Sequence, residues 1–138
     1  MKKIGIIGGI GPESTVDYYK SIIGAFRDKQ AVLGCPEIVI YSADLPGLIR
    51  IVEAKDWGNL AEWLLEKMVA LHKAGADFAV IASNTPHVVF DRVSSRSPIP
   101  MLSIVDETRR KAQQGGFRSL GLLGTRFTME SDFYQRLF

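Results

Sequence analysis

Short runs rich in β-branched residues alternate with longer stretches of helical apolar spacing along the whole chain. That alternation narrows the fold to βα units feeding a parallel sheet. Residues 3–7 read as a first strand, stopped by Gly8-Gly9-Ile10-Gly11-Pro12. Val16, Tyr19, Ile22, Ile23 and Phe26 then recur at helical spacing, which predicts an amphipathic helix over 12–28. Pro12 suits its first turn, where a missing N–H costs nothing. A second strand is predicted at 37–42, followed by an irregular stretch through Pro46-Gly47. The stripe Leu60, Leu64, Met68 and Leu71 marks a helix over 57–73, ended by Gly75. A third strand covers 77–82 and breaks at Ser83-Asn84-Thr85-Pro86, before a short helix carrying Val88, Val89, Phe90 and Val93. After a Ser/Pro/Arg loop come a fourth strand at 99–104 and a helix at 106–114 that ends at Gly115-Gly116.

The expected fold class is α/β: over residues 1–116, a flavodoxin-like parallel four-stranded sheet with flanking helices. Residues 117–138 then carry another strand, 119–123, and a helix, 129–137. They read either as the first βα unit of a second lobe or as the fifth strand of one flavodoxin-like sheet. In the first case Leu120, Leu122 and Leu123 form a strand without its natural neighbours. Exposed apolar edges of that kind seek partners, so a homo-oligomer is expected, with this segment exchanged between chains.

Composition excludes several classes. The 138 residues are 46% hydrophobic and 23% charged, which is ordinary for a globular domain. The 17 basic and 15 acidic residues are scattered, without a Lys/Arg block, so nucleic acid is not an expected partner. The apolar run after Met1-Lys2-Lys3 stops at Gly8, and no stretch approaches a membrane span. A single cysteine, Cys35, allows no internal disulfide, and the chain reads as cytoplasmic with no membrane partner.

In open α/β sheets ligands bind outside the carboxyl ends of the strands. Those ends here present Gly9 and Ile10, then Ser42, then Ser83-Asn84-Thr85, and finally Thr125 and Thr128. Asp44 is the one acid nearby and no lysine accompanies it, a lining that suits a small carboxylate better than a metal. The glycine loop lacks the dinucleotide spacing, since position 14 is Ser, and Glu13 would oppose a pyrophosphate. It reads either as a loop that faces a ligand, since it sits at the first strand end, or as a plain strand-to-helix turn. Asn84 and Thr85 are either simple caps of the helix begun by Pro86, or donors that grip a carboxylate with Ser83 against the substrate carbon. Thr128 is a candidate cap for the helix from Met129. His87 lies four residues after Ser83, but no G-x-S-x-G elbow surrounds that serine, so a hydrolase is disfavoured.

Taken in order, Ile4 to Thr15, Ala76-Asp77-Phe78, Ser83-Asn84-Thr85-Pro86-His87, Leu122-Leu123-Gly124-Thr125, Thr128-Met129 and Asp132-Phe133-Tyr134 resemble the cofactor-independent aspartate/glutamate racemases. The resemblance implies an amino-terminal part of such an enzyme, with two pseudo-symmetric lobes and the site in the cleft between them. It implies aspartate or glutamate as substrate, no cofactor, and one cysteine from each lobe facing each side of the α-carbon. One thiolate would remove the α-proton while the other thiol donates one. Two departures follow. The first-lobe cysteine of the family's C-N-T motif aligns with Ser83, a far weaker acid, which makes Ser83 the catalytic candidate and puts balanced racemisation in question. Family members also continue for roughly another 100 residues, about one further lobe, and carry the second cysteine there. Cys35 precedes the second strand, at the wrong end of the sheet to replace it. The competing reading is a degenerate lobe that holds a carboxylate without turnover.

Overall fold

A computed structural model describes residues 1–29 and 35–138. Strands β1 (Ile4–Gly8), β2 (Ile38–Ser42), β3 (Phe78–Ile81) and β4 (Met101–Leu102) form one parallel sheet in the order β2-β1-β3-β4. The register sets Ile4 opposite Ile38 and Phe78, and Gly8 opposite Ser42. The chain leaves β1 toward one side of the sheet and returns on the other, so β1 and β3 flank the switch point where such sheets open a crevice. Helices α1 (Pro12–Lys29), α2 (Leu45–Glu53), α3 (Trp57–Lys73), α4 (Phe90–Ser94), α5 (Ile104–Gln114) and α6 (Arg126–Glu130) connect and follow the strands, with a 3-10 turn at Thr85–Val89.

All of β1 is buried, as a parallel strand covered on both faces must be. Its side chains alternate between two cores. Ile7 joins Leu60, Leu64, Met68 and Leu71 of α3, while Ile4 and Ile6 face Tyr18 and Ile22 of α1. Leu60, Leu64 and Met68 of the α3 stripe are fully buried, and truncating Leu64 to alanine there would cost about 2–5 kcal/mol. No helix among the described residues is long and apolar enough to cross a membrane.

Six local expectations need correcting. On α1 the inward face is Thr15, Tyr18 and Ile22, whereas Val16 and Tyr19 are exposed. The stretch around Pro46-Gly47 is helical: Asp44 caps α2 by accepting the Gly47 N–H at 2.9 Å, and the proline falls in the first turn. The fourth strand shrinks to two residues. Pro100 has no N–H to give a ladder, and Ser103 already serves as the cap of α5, accepting the Asp106 N–H at 3.2 Å. Residues 119–123 pair with no strand, because a two-residue β4 offers too short an edge to template a neighbour. Leu123 is accordingly 90% exposed. The last helix is α6, not 129–137, since Thr125 rather than Thr128 is its cap and accepts the Thr128 N–H at 3.3 Å. Asn84 sits at a cap position in the right-handed helical conformation and makes no cap bond, because side-chain capping needs an extended backbone there.

Candidate active site

The turn after β1 is built around a buried threonine. Thr15 Oγ1 accepts the Gly9 N–H at 2.9 Å and reaches the Gly11 carbonyl at 3.2 Å. A Cβ on Gly8 would collide with the Thr15 side chain. Gly9 has φ 79°, and a Cβ there would meet the Ala43 carbonyl and Ser42 Oγ at 2.6 Å, so only glycine passes. The turn is also sewn to the sheet: Ala43 N–H donates to the Gly8 carbonyl at 2.8 Å, and Ala82 N–H to that of Ile7 at 2.9 Å.

These bonds bring the ends of β1 and β3 together at a cavity of about 600 Å³. Ile10, Ser83, Asn84, Thr85, Thr125 and Thr128 all line it. Gly9 and Ser42 do not: they pack against each other at the base of the turn, and Ser42 is exposed at the sheet edge. Thr125 and Thr128 share a hydroxyl–hydroxyl hydrogen bond of 3.0 Å, and Phe127 between them packs on Trp57 at 5.6 Å between ring centroids. Asp44 is occupied by its capping bond and by Arg50 at 3.7 Å. Cys35 is free and exposed before the amino end of β2, away from the cavity edge of the sheet.

His87 is a structural element of this rim. It is 4% exposed and stacks on Phe90 at 5.2 Å. Its Nδ1 donates to the Ser83 carbonyl at 2.9 Å, and its Nε2 accepts the Ile104 N–H at 3.3 Å. The ring is therefore neutral with the proton on Nδ1. Burial pushes its pKa down to about 4, and a second proton on Nε2 would face another donor. Both nitrogens serve the backbone and neither serves the Ser83 hydroxyl, so the Ser–His pair is no hydrolytic dyad.

Residues that sequence reasoning missed complete the site. Tyr134 donates to Asn84 Oδ1 at 2.6 Å across 50 residues of sequence, which turns the Asn84 amide N–H groups away from that bond. Burial holds the Tyr134 phenol above its ordinary pKa, so it stays a donor at neutral pH. Leu45, Leu48, Ile49, Val52 and Glu53 of α2 supply another part of the lining. The irregular reading of Pro46-Gly47 hides them, although Leu45, Leu48, Ile49 and Val52 have helical spacing.

Fold and cleft together define a doubly wound α/β protein with a cavity at the switch point of its sheet. The family profile described as Asp/Glu/hydantoin racemase matches residues 7–138, and the chain belongs to that family. It is 30% identical over 141 residues to the broad specificity amino-acid racemase RacX of Bacillus subtilis, covering 97% of this chain and 59% of that one. A crystal structure of an aspartate racemase homologue from Pyrococcus horikoshii superimposes with a TM-score of 0.88 at 42% identity, covering 99% of this chain and 60% of that one. The aspartate racemase of Picrophilus torridus gives 0.79 at 26% identity, covering 99% and 58%. The chain thus spans about three-fifths of the length of these relatives.

Proposed function

We propose that this chain supplies one half of an amino-acid racemase site that works without a cofactor, with Ser83 against one face of the substrate α-carbon. The observation that carries this reading is the convergence of Ser83, Asn84, Thr85, Thr125 and Thr128 on one cavity at the switch point. Residues 1–116 then form the first lobe and 117–138 begin a second. On this reading the remaining two-fifths of the relatives' length would supply the rest of that lobe and the opposite face of the substrate.

The chemistry follows from the donors present. The Asn84 amide and the Thr85 and Thr125 hydroxyls hold the substrate carboxylate. As the α-proton leaves, charge flows into that carboxylate, and donors already in place stabilise it more than they stabilise the ground state. Ser83 has no base behind it, because His87 is spent on backbone groups. Its O–H is suited to giving a proton to a carbanion on its own face, and poorly suited to taking one. Wash-out of the α-proton is therefore asymmetric, faster for the enantiomer whose proton faces the opposite wall, while the equal free energies of the two enantiomers keep kcat/KM the same in both directions. The resemblance implies aspartate or glutamate as the amino acid.

A second reading, a carboxylate-binding lobe without turnover, draws on the same unassisted hydroxyl at Ser83. The two separate in D₂O, where loss of the α-proton signal of amino acids is followed by NMR on the full gene product. Exchange accompanied by inversion, read on a chiral column, that falls in Ser83→Ala and rises in Ser83→Cys supports the racemase. Binding without exchange, in both the parent and Ser83→Cys, supports the binding lobe.

A further inference from the structure

The cavity wall contributed by α2 is apolar: Leu45, Leu48, Ile49 and Val52 line it, and Phe127 adds a ring fixed by its contact with Trp57. Its one ionisable α2 member is an acid, Glu53. No lysine or arginine lines the cavity among the described residues. Arg50, the cation of α2, turns to Asp44 at 3.7 Å and is exposed there, outside the lining. The polar donors Ser83, Asn84, Thr85 and Thr125 lie on the strand-end loops, where the carboxylate and α-carbon belong under the racemase reading.

A substrate side chain laid on the α2 wall meets methyl and methylene groups and, beyond them, a negative charge. A second carboxylate laid on the α2 wall would lose water there, gain no cation from that wall and face Glu53, which disfavours binding on each count. An aliphatic side chain would instead shed its hydration against a surface of its own kind. We infer that the amino acid taken by this site carries an uncharged aliphatic side chain, and that the aspartate or glutamate implied by resemblance is disfavoured. This inference rests on the proposed racemase reading and specifies its substrate class. The specificity residues are Leu48, Ile49 and Val52, with Glu53 repelling acidic competitors.

The test is a calorimetric titration of the full gene product with leucine, methionine, aspartate, glutamate and lysine, repeated on Val52→Arg. Val52 is only partly buried, so the helix tolerates the change. Leucine and methionine are expected to bind at least about tenfold more tightly than aspartate and glutamate. Val52→Arg should narrow or invert that ratio by supplying the missing cation. Preferential binding of aspartate or glutamate by the parent protein would overturn the inference and leave the racemase reading standing. Preference for lysine, lost in Glu53→Gln, would overturn the uncharged side chain. Binding of none of the five would overturn both the inference and the reading beneath it.

Discussion

Acidification should loosen the rim of the site through a single ring. His87 bridges the Ser83 carbonyl and the Ile104 N–H, so it joins the end of β3 to the start of α5. Its pKa falls from 6.5 to about 4 in the folded state, with burial as the main cause. Between those values the unfolded chain binds a proton that the folded chain refuses. Stability from this group is therefore present above pH 6.5 and is lost as the pH falls toward 4. Linkage gives a loss of about 2 kcal/mol between pH 7 and pH 5, or roughly a 30-fold change in the folding equilibrium. Urea denaturation followed by far-UV circular dichroism at both pH values measures the loss. His87→Gln can keep one donor and one acceptor but does not titrate, so its pH dependence should be smaller by about the same 2 kcal/mol. Identical pH profiles for the two proteins, or an NMR titration placing His87 near its ordinary pKa, would refute the reasoning.

Thr15→Val should destabilise the protein by about 1–3 kcal/mol, because the Gly9 N–H loses its buried acceptor. Chemical denaturation measures it, and an unchanged midpoint would contradict the turn's construction. Tyr134→Phe should cost only about 0.5–1.5 kcal/mol of stability yet weaken amino-acid binding several-fold, by freeing the Asn84 carboxamide to rotate. A stability loss with unchanged affinity would make Tyr134 purely structural. The 138-residue chain exposes Phe117, Leu120, Leu123 and Phe138 close together in sequence, so light scattering should show self-association that reverses on dilution. A strict monomer at all concentrations would speak against it.

The strands and helices visible in the sequence were those with long, unbroken periodicity. The α3 stripe from Leu60 to Leu71 placed its helix at 57–73, where the structure has it. The β-branched runs located β1, β2 and β3 to within a residue, because β-branched residues and flanking breakers carry that signal locally. What failed turned either on a neighbouring cap or on the length of a distant strand. Pro46-Gly47 looks like a turn until Asp44 is seen to cap the Gly47 N–H, which makes proline a first-turn residue. Leu120-Gly121-Leu122-Leu123 looks like a strand, yet a strand exists only in a ladder, and β4 leaves it no edge to join. The same division runs through the site. Ser83, Asn84 and Thr85 follow the end of β3 and are placed by position alone, whereas Thr125 and Thr128 follow a segment that is no strand and reach the cavity as the cap and first turn of α6. The Tyr134–Asn84 bond depends on a tertiary contact that no local pattern encodes, and the α2 wall on a helical spacing that Pro46-Gly47 masks.

The most direct test of the central claim is amide chemical-shift mapping on the isotopically labelled chain during titration with an amino acid. Binding at the switch point predicts that the shifts concentrate at Ile10, Ser83 to Thr85, Thr125 and Thr128. Ser83→Ala should leave the pattern in place, while Tyr134→Phe weakens it. Shifts confined to residues away from the carboxyl ends of β1 and β3 would contradict the assignment of this cleft as half of a racemase site.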